Sequence, residues 1–455
     1  MSPLLFAVLA PSAHAFCGTY VGSADSTVTN TDSQVVIVRQ GRTTVLTLAN
    51  DFQGDASEFG LVIPVPRTVQ VTDVSVVDRG VIDAIDAFTA PRLVSYDCSD
   101  FVYYWDGDEW VGYNSGSSTG CGGTSTSYSA EYNAADAGAA DTASDPAGAF
   151  LGTVEAERFT AGEYELALVD ADGSTGLEAW LAGNGFVMNE AAAPLLAEAI
   201  DQRAKFLVAR VTGVDTTQPD TWLSPIQIRY TAENLVLPIR LGATSSSGVQ
   251  DLLVYGITSS ADGALAVSNY PQVTVDEECI LDGTTGDDFG AQYEALYSAE
   301  HDEQAGGKAG WSMEYNAYNG KCDPCPESGG TLDEATLTTL GFTGGLSDSV
   351  VTRIHMRGSP ETITEDLAFY TSGWTGFQQQ RYIQAADEMY AYYPVCNEGM
   401  VEGAEGCPEP EGEPDDVPVS TGDDDDEGSS SSICASALAL PLATLLLAAA
   451  RRRRR

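Results

Sequence analysis

The sequence predicts an α+β fold: a β-rich exported domain of sandwich-like sheets with a few helices, a disordered insertion and a C-terminal transmembrane sorting helix. Three observations carry this. Short runs rich in β-branched residues recur from residue 33 onward, separated by Gly, Pro, Asn and Asp turns. Helical apolar spacing breaks in at only a few places. Both ends of the chain are apolar runs of the kind that direct a protein to or across a membrane.

Residues 1–15 read as a signal peptide. Leu4 to Ala10 is the apolar core, and Ala13-His14-Ala15 is a small-residue cleavage site, so signal peptidase is expected to cut between Ala15 and Phe16. Residues 33–39 and 43–49 flank Gln40-Gly41-Arg42 as a hairpin. Residues 59–66 read as a buried strand near a sheet edge because prolines end it. A strand over 69–77 and a helix over 79–88 follow. Residues 97–150 are a low-complexity insertion, with a hairpin turning at Asp106-Gly107-Asp108 and a flexible tract after it. Structure resumes with strands at 154–159 and 164–169. Thr175 and Glu178 match a capping box ahead of Leu177, Trp180 and Leu181. A second helix spans 191–203. Strands are expected at 205–211, 225–230, 235–241, 250–258, 273–275, 311–318, 350–357 and 378–383, with helices at 289–303 and 332–340. Residues 16–400 thus form one domain of one or two lobes.

From 401 to 432 Glu, Asp, Gly, Pro and Ser take over as a solvated acidic stalk. Residues 433–450 carry no charge; at about 1.5 Å per residue a helix there reaches roughly 27 Å, enough to span a bilayer core. Arg451 to Arg455 form the basic stop at 451–455, which keeps the C-terminus cytoplasmic and the bulk outside. This tail resembles the tripartite sorting signals of bacterial surface proteins, most closely the myxobacterial type in which a Cys precedes the span. That resemblance implies an intramembrane sorting protease as partner and anchoring through Cys434, although Ile433 stands where that pattern has Gly. A permanent single-pass anchor is the other reading. Either way the protein is extracytoplasmic and held to the membrane or cell surface.

The formal net charge is −46. Such a surface repels polyanions, and no basic patch exists to displace phosphate counterions, which excludes nucleic acid as a partner. There are nine cysteines. Leaving out Cys434, an even number remains in the exported part, as a disulfide framework requires. Proximity pairs Cys98 with Cys121 and Cys396 with Cys407. Cys322 and Cys325, in CDPC, favour a structural disulfide, internal or to Cys279 or Cys396, over a redox centre.

The segments FCGTYVG, FGLVIPVP, APRLVSY, EYELALVDADGSTGLEAWL, LSPIQIRY, LPIRLG, NYPQVTV, CDPCP and VTRIHMR resemble a group of secreted bacterial proteins, domain-of-unknown-function family 2330. The resemblance covers nearly all of 16–396. It implies one exported domain and no catalytic residues.

Few constellations for chemistry exist. His301 and His355 are the histidines left after signal removal. His355 alternates with Arg353 and Arg357 on a strand, where the triplet either faces outward to a ligand carboxylate or pairs with acidic neighbours; the flanking cations disfavour its charged form. His301 reads as a solvated helix end. Ser118 sits in a formal G-x-S-x-G without the strand–turn–helix context a nucleophile needs. Calcium is the cofactor the carboxylates suggest, with Asp170 and Asp172 first, then Asp106 and Asp108, then Asp282, Asp287 and Asp288. The leading functional reading is a non-enzymatic envelope or binding protein. The rivals are an extracytoplasmic enzyme, hydrolytic or thiol-based, and a calcium-stabilised module.

Overall fold

The computed structural model describes residues 18–22, 28–29, 33–54, 58–95, 101–105, 110–114, 124–127, 156–162, 164–171, 174–212, 221–246, 248–281, 288–325, 331–374, 376–387, 389–401 and 403. Ala15, Phe16, Cys98, Cys121, Asp106, Asp108, Asp172, Asp282, Asp287, Cys407, Cys434, nearly all of the stalk and the apolar tail lie outside them. No helix among the described residues is long and apolar enough to cross a membrane.

The first third is strand-rich. In order come β1 (Thr19–Val21), β2 (Val28–Thr29), β3 (Ser33–Gln40), β4 (Thr43–Gly54) and β5 (Glu58–Val65). The expected hairpin joins β3 to β4, with Gly41 at φ +59° supplying the left-handed turn. The strand expected over 69–77 is cut short. A 3₁₀ turn occupies Val71–Asp73, where the Asp73 carboxylate accepts the Gln70 N–H at 2.9 Å, and only β6 (Val74–Val76) is extended. Helix α1 (Gly80–Thr89) buries Ile82, Ile85, Asp86 and Phe88 along one face. Then follow β7 (Arg92–Ser95), the hairpin β8 (Phe101–Trp105) and β9 (Trp110–Asn114), and β10 (Thr124–Ser127), a short strand inside the tract read as flexible that pairs with β7.

The middle third holds β11 (Ala156–Ala161), β12 (Tyr164–Val169), α2 (Ser174–Gly183), α3 (Ala193–Asp201), β13 (Lys205–Thr212), β14 (Thr221–Trp222) and β15 (Ile226–Thr231). Helix α2 starts at Ser174, so Thr175 is a helical residue rather than the cap the capping-box pattern implies. Pro194 falls in the first turn of α3, where its missing N–H costs nothing. The strand expected over 235–241 ends early: β16 (Leu235–Leu237) meets Pro238, and α4 (Ile239–Ala243) takes over. The last third is β17 (Gln250–Ser259), β18 (Leu265–Val267), β19 (Cys279–Leu281), α5 (Phe289–Gln304), β20 (Gly310–Tyr318), α6 (Glu334–Thr339), β21 (Ser349–Gly358), β22 (Leu367–Thr371), β23 (Gln378–Gln379) and β24 (Arg381–Gln384). Val273 and Val275 form no strand. The expected strand over 378–383 is split between two sheets, β23 joining β20 and β24 joining β7.

These strands assemble into a ten-stranded sheet whose main path is β23-β20-β21-β17-β3-β4-β15-β6, and a five-stranded sheet, β1-β5-β13-β12-β11. One apolar cluster fills the space between them. Val35, Leu46, Leu252, Val254, Ile354 and Met356 come from the larger sheet, and Phe59, Leu61, Leu166 and Leu207 from the smaller. Strand β5 is not itself an edge, since it lies between β1 and β13. However, β1 covers it only as far as Val62, so Pro64 falls where the ladder has ended and its absent N–H leaves no gap. Helices α2 and α3 cover the outer face of the five-stranded sheet through Leu177, Trp180, Leu181 and Leu196. The outer face of the ten-stranded sheet is covered in turn. Helices α1 and α6 lie over Val36, Val38, Tyr255, Ile257 and Val351; α5 and the small sheet β10-β7-β24-β19 pack beside them. Both faces of β17 and β21 are therefore buried: β17 reads as a nearly apolar run, whereas β21 carries Arg353, His355 and Arg357 on the face that the helices cover.

Candidate functional site

The outer face of the ten-stranded sheet is where charge enters the core. Side chains alternate along a strand, so Arg353, His355 and Arg357 of β21 project on the side opposite to Ile354 and Met356. Antiparallel register sets Tyr255 against Arg353, Leu253 against His355 and Asp251 against Arg357 on β17. On the other flank β20 carries a bulge: Met313 pairs with Ile354 and Tyr315 with Arg353, leaving Glu314 as the extra residue. The bulge turns Glu314 to the same side as Tyr315, toward the cations of β21. Helix α1 lowers Asp86 onto this face, and α5 lowers a stripe of Phe289, Tyr293, Tyr297 and His301.

The result is a continuous chain of ion pairs. Asp86 Oδ1 accepts from Arg353 Nη1 at 2.5 Å and from the Tyr255 hydroxyl at 2.5 Å. Arg353 Nε donates to Glu314 Oε2. Glu314 Oε1 accepts from His355 Nδ1 at 2.7 Å and from the Tyr293 hydroxyl at 2.5 Å. His355 Nε2 donates to Asp251 Oδ1 at 3.1 Å, and Arg357 Nη1 donates to Asp251 Oδ2 at 2.8 Å. Both ring nitrogens of His355 face carboxylate oxygens, so both carry protons and the ring is an imidazolium. Tyr297 stacks on it at 3.9 Å between centroids and donates to its backbone carbonyl at 2.9 Å. Three cations thus meet three carboxylates with the charge closed.

The triplet of β21 therefore does not face outward. Arg353 is 0% exposed and His355 4%, because this sheet face is covered by helices rather than by water. Nor is the imidazolium disfavoured. Burial works against its charge, but Glu314 and Asp251 outweigh burial and push its pKa up to about 9. Burial likewise opposes charge on Glu314, and Arg353 and His355 outweigh it and bring that carboxyl down to about 2. His301 is no solvated helix end: it is buried, donates from Nε2 to the Arg357 carbonyl at 3.1 Å, and burial lowers its pKa. Asp251, Glu314 and Asp86 stand far from β21 in sequence. Their one local signal is a lone acid inside an apolar stretch: QDLLVYGIT, GWSMEYNAY, and Asp86 on the apolar face of α1.

These shifts set a pH window. His355 holds its proton more tightly folded than unfolded, where its value is near 6.5, so its contribution is complete below that pH and lost as pH rises through about 9. Glu314 behaves oppositely. Its contribution is complete above about 4.5 and lost as pH falls through about 2. On the alkaline side the effect is on the order of 3 kcal/mol. The urea midpoint is expected to fall between pH 6.5 and 9.5 in the natural chain, and His355→Gln to flatten that limb. Equal slopes in both proteins would count against the assignment.

The network adjoins a second feature through Arg92. This residue is 0% exposed; its Nη2 donates to the Ala87 and Phe88 carbonyls at 2.8 and 3.0 Å, capping α1, and its Nε points to the Pro324 carbonyl at 3.4 Å. Its Nη1 is buried without a hydrogen-bond partner. Burial first, and the nearby Arg353 second, lower its pKa to about 10. Pro324 lies in the Cys322–Cys325 loop, whose two cysteines are bonded to each other. Tyr315 donates to the Lys321 carbonyl, Asp323 N–H to Gln379 Oε1 at 2.9 Å, and Arg381 Nη1 to Asp323 Oδ2 at 2.9 Å. Cys325 is exposed and Cys322 half-buried.

Cys396 bonds not to Cys407, as proximity suggests, but to Cys279, 117 residues away. The segment after β24 folds back along β19: Ile280 N–H donates to the Pro394 carbonyl at 2.8 Å and Cys396 N–H to the Ile280 carbonyl at 3.1 Å. Folding thus brings together cysteines that sequence spacing separates. Of the calcium candidates, Asp170 gives an oxygen to Arg67 at 3.3 Å, and Asp288 precedes α5. Among the described residues no three His, Cys, Asp or Glu side chains converge as a metal ion would require. A cavity of about 200 Å³ lies on the sandwich side, lined by Leu46, Ile63, Pro66, Ile228, Tyr230 and Val236; none of the network residues lines it.

No curated protein and no solved structure matches the chain. One family does, over residues 11–370, and its description is an uncharacterized protein conserved in bacteria. Strand β24 and Cys396 lie beyond that stretch yet complete the small sheet and the long disulfide. With most of its length matched, the chain belongs to the bacterial family DUF2330.

Proposed function

We propose that the chain is an exported, cell-surface-anchored acidic protein that acts without catalysis, in envelope structure or in binding. The observation that carries this is the Cys279–Cys396 bond, which ties β19 to the segment after β24 across 117 residues and belongs to a compartment where thiols are oxidised. The buried ionisable side chains support the non-catalytic half of the reading. Arg353, Glu314, His355 and Asp251 bond to one another and are buried behind α1 and α5, so no substrate meets them. A net charge of −46 suits display in water beside an envelope. The route is signal peptidase cleavage between Ala15 and Phe16, then retention through the apolar tail or sorting through Cys434.

Mass spectrometry of the chain recovered from fractionated cells tests this. The expected result is an N-terminus at Phe16, an oxidised Cys279–Cys396 peptide, and degradation by protease added to intact cells. Recovery in the cytoplasm with Met1 retained and the cysteines reduced would overturn the proposal.

A further inference from the structure

The two disulfides differ in what they do for the fold. Cys279 is 2% exposed and its bond closes a long loop. The Cys322–Cys325 bond spans three residues and closes almost nothing. The residues around it are held without it: Lys321 by Tyr315, Asp323 by Gln379 and Arg381, and Pro324 by Arg92. A loop fixed by four independent ties keeps its place whether or not its sulfurs are joined. Cys325 is exposed, while Cys322 is half-buried and packs against the apolar cluster that holds Phe88, Tyr315 and Leu337.

Charge adds a second, independent observation. On this side of the sheet Arg92, Arg353, His355 and Arg357 stand against Asp86, Glu314 and Asp251, and the three carboxylates are taken by the other three cations. Arg92 carries the charge left over. It is wholly buried, its hydrogen bonds go to carbonyl oxygens, and among the described residues its Nη1 has no hydrogen-bond partner. The other charges at the loop, Arg381 and Asp323, are paired with each other, and Lys321 is exposed. An anion formed behind the loop would meet a guanidinium whose hydrogen bonds, among the described residues, go to carbonyl oxygens and to no carboxylate.

We infer that Cys322–Cys325 is a thiol–disulfide exchange site, taking electrons from a dithiol, with Cys325 the sulfur attacked and Arg92 the positioning cation for the departing Cys322 thiolate. A thiolate of the dithiol attacks Cys325 Sγ; the new S–S bond forms as the Cys325–Cys322 bond breaks, and its electron pair leaves on Cys322. The second thiol of the dithiol, losing its proton to solvent, then displaces Cys325. The dithiol ends as a disulfide and the protein as two thiols, two electrons having passed. A leaving thiolate stabilised by a nearby cation departs faster. The step oxidises one dithiol per chain and includes no turnover, so this chemistry goes beyond the proposed function without resting on it or making the protein a catalyst.

The test equilibrates the purified full-length chain in graded reduced and oxidised glutathione, followed by alkylation and peptide mass spectrometry. Cys322–Cys325 is expected to open in buffers about tenfold less reducing than those that open Cys279–Cys396, with the near-ultraviolet circular dichroism unchanged. Joint opening with loss of that signal, or opening of Cys279–Cys396 first, would overturn the assignment. Arg92→Gln is expected to slow opening by dithiothreitol about tenfold, with Arg92→Lys restoring most of the rate. An unchanged rate in folded Arg92→Gln removes Arg92 from the mechanism. Because that variant also loses a helix cap, Cys325→Ser provides a second reading. Alkylation of its free Cys322 should reach half-maximal rate below pH ~8, and a midpoint at or above ~8.5, the ordinary thiol value, is the contrary result.

Discussion

Replacing Arg353 by methionine is expected to lower the free energy of unfolding by about 3–5 kcal/mol, read as a fall in the urea midpoint at unchanged slope. The side chain is 0% exposed and joins Asp86 to Glu314. Methionine fills a similar volume, so packing changes little; what changes is that two carboxylates lose their shared cation in a place without water. Arg357 and His355 cannot move over, since Asp251 and the far oxygen of Glu314 already hold them. Replacing Glu314 by leucine together with Arg353 by methionine should cost less than the sum of the two single changes, because each single change leaves the network one charge out of balance and the double change leaves equal numbers of cations and carboxylates. A loss below about 1 kcal/mol in the single variant would mean that the network is solvated in solution.

This network also makes register costly to change. A one-residue slip of β21 would turn Arg353, His355 and Arg357 into the cluster that holds Ile354 and Met356, where Leu252, Val254 and Met313 offer no partners. Three charges on one strand therefore select one pairing of β21 with β17 and β20 more sharply than apolar alternation could, since both faces of these strands are apolar elsewhere.

How far such features were legible depends on how local their causes are. The β3–β4 hairpin follows from two alternating runs around Gly41, and α1 and α5 follow from apolar periodicity, all within a few turns of chain. Sheet order does not, because β5 pairs with β13 across more than a hundred residues and nothing in FGLVIPV names KFLVARV as its neighbour. Strand ends fall short of the apolar runs where a polar contact or proline intervenes: Asp73 folds a turn out of the run at 69–77, and Pro238 stops β16. At β21 the alternation of Arg353, His355 and Arg357 was visible and the sense of burial was not. A strand that alternates cation and aliphatic residue normally has one face in water. Here α1 and α5 cover that face, and the carboxylates that make the covering tolerable arrive from three other elements. The CDPC disulfide was open to inspection because its partners are neighbours, whereas the partner of Cys396 was not, because β19 reaches it only after the chain has folded.

Loss of the long disulfide should have the other large effect. In a chain-entropy account, the 117-residue separation of Cys279 and Cys396 corresponds to roughly 5 kcal/mol, against roughly 2 kcal/mol for the three-residue separation of Cys322 and Cys325. Cys279→Ala with Cys396→Ala is therefore expected to lower the urea midpoint well beyond Cys322→Ala with Cys325→Ala. Hydrogen exchange should place the first loosening in β19, β24 and residues 394–399, since β19 is a three-residue strand held by β24 on one side and by the single bridge of Ile280 to Val395 on the other. Equal losses from the two double variants would show that the long bond joins parts already held by the apolar cluster of Phe289, Tyr293 and Tyr382. The expected inequality has a consequence for the lifetime of the chain. If the small sheet needs its disulfide, a chain kept reduced presents Leu93, Leu281 and Tyr382 to solvent and is exposed to proteolysis, while the oxidised chain is closed. The same molecule would then be long-lived when oxidised and short-lived when reduced, with the state of Cys396 deciding which.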